Sequence, residues 1–304
     1  MVTTVLVPDD YGVAVISALD GVRAVRYEPD GPVPPGGEDA EILVPRFLSP
    51  ANTAHIAWQL PKLRLVQLLT AGAESWVGNI PEGVLLSTAR GAHGASTAEW
   101  VLTGLLSVYR EFTEFAVAQR EHRWTQHQTD TLCGKRILLV GAGDVAVEIQ
   151  RKLIAFDAPA TLVGTRARAG VHGVDELPEL LGDADAVVLT VPVTSQTVGM
   201  VDAAFLARMA DGAILVNAAR GSVVDTDALL AELTTHRLRA VLDVIDPEPL
   251  PSEHPLWDAP GLLLTPHVGG SSRGNWERAY TVAAREIARY LAGEPPRNLV
   301  HGEY

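Results

Sequence analysis

The chain has 304 residues, 47% hydrophobic and 20% charged, with a net charge of -13 at pH 7. That length supports two domains with substantial cores, and the acidic balance excludes a whole surface built to grip a nucleic-acid backbone, though not a local basic pocket. One cysteine, Cys133, excludes an internal disulfide and points to the cytoplasm, residues 1–8 lack a signal-peptide pattern, and the apolar runs are too short and interrupted to span a bilayer.

In chain order, Val2 to Val7 reads as a buried strand, Val13 to Leu19 as a helix and Val22 to Tyr27 as a second strand. The Gly- and Pro-rich stretch from Asp30 to Gly37 is loop. A strand at Glu41 to Val44, a helix at Pro50 to Trp58, and strands at Leu63 to Leu68 and Val84 to Ser87 follow. This β-α-β alternation predicts a parallel sheet covered by helices. Gly94 to Gln119 reads as one long helix with a wide apolar face, buried between domains or subunits. Arg120 to Cys133 is a polar connection, and Cys133 reads as a small buried or linker residue.

Next, an apolar run from Ile137 to Val140 meets Gly141-Ala142-Gly143-Asp144-Val145-Ala146, and a helix follows to Phe156. A strand, a glycine turn and a helix N-terminus form the phosphate cradle of dinucleotide-binding units, with Ala146 in place of the third glycine. The second strand, Ala160 to Gly164, ends at Thr165-Arg166-Ala167-Arg168. An NAD-binding chain places a ribose carboxylate there, whereas arginines suit a 2′-phosphate. The expected cofactor is therefore NADP, with NAD the alternative. Helices at Val174 to Leu181, Ala203 to Met209, Asp225 to Leu233 and Ser271 to Leu291 alternate with strands at Ala186 to Val191, Ala213 to Val216, Leu238 to Leu242 and Leu262 to Leu264.

Three polar residues, Arg220, Glu248 and His267, fall just after predicted strands, on the edge where open α/β sheets bind ligands. Arginine can orient and polarise a carboxylate and its neighbouring carbonyl. Histidine can give a proton to a developing alkoxide, and glutamate can hold the histidine. The turn Ala71-Gly72-Ala73 ends another strand, and its amides suit a substrate carboxylate. Arg46, also after a strand, is the candidate for an anionic group of the substrate. No metal is expected.

These segments, in this order, resemble the D-isomer-specific 2-hydroxyacid dehydrogenase family. The matching stretches are Gly141-Ala142-Gly143, Thr190-Val191-Pro192 with Thr197, Asn217-Ala218-Ala219-Arg220-Gly221, Leu242-Asp243-Val244, Pro247-Glu248-Pro249 and Thr265-Pro266-His267-Val268-Gly269-Gly270. The resemblance implies catalytic Arg220, Glu248 and His267, and Asp243 on the nicotinamide carboxamide. It also implies cofactor contacts along Gly141 to Val145, at Thr165, Arg166, Arg168, Val191, Pro192 and Thr197, and at Ala218, Ala219, His267, Gly269 and Gly270. Substrate falls to Arg46, Ala71, Gly72, Ala73 and Arg220.

The implied fold is α/β with two Rossmann-like, parallel-sheet domains. A dinucleotide domain, 96–270, is inserted into a flavodoxin-like substrate domain, 1–95 and 271–304. A homodimer through the long helix is the implied assembly. The scarcity of basic residues favours small keto acids such as glyoxylate or hydroxypyruvate over phosphorylated ones. D-3-phosphoglycerate dehydrogenase using NAD and a non-catalytic NAD(P)H sensor are the alternatives. A formate dehydrogenase, which would place Gln at position 248, is disfavoured by Glu248.

Overall fold

The structure, a computed structural model, describes residues 2–47 and 51–302, with only the backbone at 51–53. Two compact units are present, one formed by 1–93 with 273–304 and the other by 94–272.

The first unit carries β1 (Thr3–Val7), α1 (Asp10–Ser17), β2 (Val22–Arg26), β3 (Ile42–Leu43), β4 (Leu65–Gln67) and β5 (Leu85–Ser87). Its sheet has strand order β2-β1-β3-β4-β5, parallel throughout. Alternate residues feed two cores, as the two-residue period of a strand requires. Val5, Ile42 and Leu65 join one cluster; Leu6, Leu43 and Val66 join the other. Covering both faces explains why these strands read as unbroken apolar runs. The helix expected from Pro50 is a 3-10 helix, Ala51–Gln59, and Pro50 itself lies outside the described residues.

The second unit begins with α2 (Gly94–Tyr109) and α3 (Phe112–Arg120), where the sequence predicts a single helix. The break falls at Glu111, whose φ of 52° is left-handed. The chain beyond α3 returns to hold it there. Glu111 accepts a hydrogen bond from His127 Nε2 at 2.7 Å, and Arg110 Nε donates to Thr129 Oγ1 at 3.1 Å. Local propensity gives no warning of contacts made across more than a dozen residues.

After an irregular stretch in which Cys133 is exposed come β6 (Ile137–Val140), α4 (Asp144–Leu153), β7 (Ala160–Gly164) and β8 (His172–Gly173). They are followed by α5 (Leu177–Leu180), β9 (Ala186–Leu189), α6 (Ala203–Leu206), β10 (Ile214–Asn217), α7 (Thr226–Thr234), β11 (Arg239–Leu242) and β12 (Leu262–Leu264). The expected helix from Val174 to Leu181 is only one α turn between 3-10 turns.

Seven parallel strands run in the order β12-β11-β10-β9-β6-β7-β8. Connections proceed one way from β6 to β8 and the other way from β9 onward. The switch point therefore lies between β6 and β9, where a doubly wound sheet opens a crevice for a ligand. Helix α2 packs on the sheet at Gly104, where a Cβ would lie 2.5 Å from Val241 Cγ1. The last helix, α8 (Asn275–Leu291), returns to the first unit and buries Ala279, Tyr280, Ala283 and Ile287 against the core that contains Val5 and Leu65.

Candidate active site

At the switch point of the second unit, Gly141 has φ 120°. A Cβ there would stand 2.3 Å from Thr190 Oγ1 and 3.0 Å from the Thr190 carbonyl oxygen, so the turn closes on the strand next door only because residue 141 is glycine. Gly143 caps α4 without a side chain, and a Cβ on it would meet nothing within 4 Å. Open space beside the first N–H groups of a helix is what a pyrophosphate requires, so the residues fit a dinucleotide. The neighbouring loop is pinned by Thr197, whose hydroxyl donates to the Pro192 carbonyl at 2.7 Å and accepts from Thr194 N–H at 2.8 Å.

Beyond β7, Thr165, Arg166 and Arg168 are exposed. Arg168 folds back over the turn: its Nη2 lies 3.4 Å from the Ala142 carbonyl, and its Nη1 lies 3.0 Å from where a Gly164 Cβ would be. A tight loop holds it, with Arg168 and Val171 exchanging two backbone hydrogen bonds of 2.9 Å each. The guanidinium thus stands at the carboxyl end of β7, beside the glycine turn.

The strongest polar cluster lies at the ends of β11 and β12. Asp243 is 5% exposed, and its carboxylate accepts from Thr265 Oγ1 at 2.7 Å, from Val268 N–H at 2.8 Å and from Gly269 N–H at 2.8 Å. Trp100, on α2, donates in turn to the Thr265 hydroxyl at 3.0 Å. The backbone carbonyl of Asp243 takes the His267 N–H at 2.7 Å. His267 adopts φ 54° within this frame, and its Nδ1 meets Glu248 Oε1 at 2.7 Å. Both side chains stay accessible, at 34% and 41%. A carboxylate on Nδ1 fixes the ring and leaves Nε2 to serve a reacting atom.

Arg220 follows β10 in an extended conformation. Buried Asn217 shapes its turn, accepting from Ala219 N–H at 3.0 Å and donating to the Arg220 carbonyl at 2.9 Å. Gly221 then presses on the loop that carries Glu248. A Cβ at 221 would fall 2.0 Å from the Ile245 carbonyl group. Thr226 anchors the same loop by donating to the Asp246 carbonyl at 2.8 Å. The loops of Arg220, Glu248 and His267 are therefore each held by hydrogen bonds between their backbone and the side chains of Asn217, Thr226 and Asp243 respectively.

In the first unit, Ala71, Gly72 and Ala73 form a turn after β4, with the Thr70 hydroxyl donating to the Gly72 carbonyl at 2.7 Å. Arg46 is exposed and lines a cavity of about 590 Å³ with Asp9, Arg26, Glu28 and Trp276. Sequence reading missed the supports: Trp100, Thr265 as a relay to Asp243, and Thr190 as the wall against Gly141. Trp100 lies in α2, far along the chain from its partner, and carries no local signal.

The family model for the D-isomer specific 2-hydroxyacid dehydrogenase NAD binding domain matches residues 102–269. A D-3-phosphoglycerate dehydrogenase of Mycobacterium bovis is 31% identical over 95% of this chain and 57% of its own length. The chain thus spans little more than half of that relative. A glyoxylate reductase of Thermofilum pendens is 31% identical over 80% of this chain and 76% of its own. Among solved structures, a D-isomer specific 2-hydroxyacid dehydrogenase from Xanthobacter autotrophicus Py2, in complex with NADPH and MES, superposes with TM-score 0.85 at 29% identity, covering 98% of both chains.

Proposed function

Because this chain belongs to the D-isomer specific 2-hydroxyacid dehydrogenase family, we propose that it interconverts a small 2-keto acid and its D-2-hydroxy acid with a nicotinamide cofactor, preferring NADP. The observation that carries the reading is the Glu248–His267 pair at 2.7 Å, standing on the loop that the buried Asp243 carboxylate holds. The cofactor, when bound, supplies or accepts the hydride. Arg220 orients the substrate and draws electron density from its carbonyl oxygen. His267 Nε2 gives a proton to that oxygen during reduction and takes it back during oxidation, while Glu248 keeps Nδ1 engaged. Backbone groups of Ala71, Gly72 and Ala73 hold the carboxylate, and Arg46 serves an anionic substituent. Asp243 still has lone pairs for the nicotinamide carboxamide beyond those its loop uses.

The NADP preference is supported by Arg168 over Ala142 and Gly164 and by the absence of a carboxylate among residues 165–168. The Xanthobacter relative, solved with NADPH, agrees with it. An NAD-dependent 3-phosphoglycerate dehydrogenase is the second reading, favoured by the mycobacterial match over 95% of this chain. A homodimer through the segment read as the long helix, 94–119, would bury the exposed Phe112 and Val117 of α3, with Trp124 exposed just after it. Oxidation of NADPH and NADH, side by side, with glyoxylate, hydroxypyruvate, pyruvate and phosphohydroxypyruvate tests both readings. Turnover with NADPH and an unphosphorylated acid is expected. Exclusive use of NADH and phosphohydroxypyruvate supports the second reading, and no turnover with demonstrable cofactor binding overturns both.

A further inference from the structure

Buried polar side chains are costly, and the first unit concentrates them at one place. Gln67, Ser87, Thr88, His93, Glu286 and Asn298 are all at most 8% exposed. They surround the carboxyl ends of β4 and β5. Gln67 stands in register with Ser87 on the neighbouring strand. Its Nε2 donates to the carbonyls of Leu68, at 2.9 Å, and Thr88, at 3.1 Å. His93 Nε2 reaches the Leu69 carbonyl at 2.9 Å, and Ala89 N–H donates to the Thr70 carbonyl at 2.8 Å. With the Thr70 hydroxyl on Gly72, the carbonyls of residues 68, 69, 70 and 72 are each engaged. A planar trans peptide fixes the direction of its N–H once its carbonyl is fixed. The N–H directions of residues 71 and 73 thus follow from the carbonyls held at 70 and 72, on a segment whose carbonyls at 68 and 69 are held as well.

The Thr88 side of this frame is held from the C-terminal segment. The fully buried Glu286 carboxylate accepts from the N–H groups of Arg297 and Asn298. Asn298 donates its side-chain N–H to the Arg90 carbonyl at 3.0 Å, and its own carbonyl takes the Thr88 N–H at 3.0 Å. Gln67 bridges the two sides, since it holds both the Leu68 carbonyl, which leads into the turn, and the Thr88 carbonyl of the segment clamped by Asn298. Yet Gln67 Oε1 and Ser87 Oγ are buried with no hydrogen-bond partner among the described residues. An apolar residue at 67 would shed the unmet Oε1 but would take the Nε2 donor away from the Leu68 and Thr88 carbonyls, so what the glutamine secures is the placement of those two carbonyls.

We infer that Gln67 is a positioning residue, setting the geometry with which the turn at Ala71–Ala73 holds a substrate carboxylate. This rests on the proposed function only in naming the ligand of that turn. The bonds it would orient are charge-assisted, so misorienting one weakens carboxylate binding by about tenfold.

The test compares wild type with Gln67→Met and Ser87→Ala. In Gln67→Met, KM for glyoxylate and Ki for oxalate rise about tenfold, while kcat and the NADPH dissociation constant stay within about twofold. Ser87→Ala, which keeps both Gln67 bonds, behaves as wild type. Equal KM and Ki in Gln67→Met and wild type overturn the inference, as does a uniform loss of kcat, cofactor binding and KM together, the mark of a merely structural role. Should Gln67→Met not fold, Asn298→Ala, which releases Arg90 from the other side, must raise KM in the same direction. Should wild type reduce no keto acid, the functional reading fails by itself. Oxalate binding to the NADPH-loaded proteins, by calorimetry, then decides the inference: weaker binding in Gln67→Met supports it, and equal or absent binding overturns it.

Discussion

Asp243→Asn is the most informative single change in the cofactor unit. The carboxylate takes Thr265 and Val268 on Oδ1 and Gly269 on Oδ2. An asparagine can keep its oxygen toward Thr265 and Val268, which leaves its NH2 facing the Gly269 N–H, donor against donor. Gly269 is buried, and a Cβ there would already crowd Oδ2 at 2.8 Å, so the loop has little room to relax. One buried unsatisfied donor costs about 1–3 kcal/mol, and Asp243→Ala, which releases the Thr265, Val268 and Gly269 donors together, costs more than Asp243→Asn. His267 sits on this loop, so misplacing it by about 1 Å costs roughly 100-fold in kcat. Urea unfolding followed by tryptophan fluorescence measures the first effect, and Trp100, bonded to Thr265, is a built-in reporter. Steady-state kinetics measures the second. An Asp243→Asn protein with wild-type stability and kcat would refute the claim that this carboxylate holds the catalytic loop.

Three further perturbations test other parts. Gly141→Ala drives a Cβ into Thr190 at 2.3 Å and strains a φ of 120°; cofactor affinity, by fluorescence titration, falls at least about tenfold, as expected of strain costing about 1–3 kcal/mol. Arg168→Asp and Arg166→Asp each shift the kcat/KM ratio from NADPH toward NADH by about tenfold or more, since each exchanges an attraction to phosphate for a repulsion; an unchanged ratio in both misplaces the ribose site. Glu148, hydrogen-bonded to Arg151 and Lys152, has its pKa lowered to about 2. A depressed carboxylate stabilises above its unfolded pKa and loses that contribution as pH falls through the folded one. The pair is surface-exposed, so Glu148→Gln costs at most about 1 kcal/mol at pH 7. The gap between variant and wild type closes from about pH 4.5 down to about pH 2, by denaturation at each pH.

The regular core was legible in the sequence because its signals are local. Ala160–Gly164 and Leu262–Leu264 form strands over the expected residues, and Asp225 caps α7 by accepting from Ala228 N–H. Apolar runs covered on both faces and side-chain caps announce themselves within a few residues. The split of the long helix at Glu111 does not, since it depends on His127 and Thr129 returning to the break. Likewise Glu248 and His267 could be named from their motifs, but not the frame that joins them. Asp243, Thr265 and Trp100 are partners only after folding, and Gln67 looks like an ordinary strand residue until the carbonyls it holds are seen.

Central to the account is His267 as the group that moves the proton. Single-turnover reduction of a keto acid by NADPH-loaded enzyme, comparing wild type with His267→Ala at matched cofactor saturation, tests it directly. The account predicts a rate lower by about 10²–10⁴-fold, with a far smaller change in the NADPH dissociation constant. A His267→Ala protein that reduces the same substrate at the wild-type rate would contradict it.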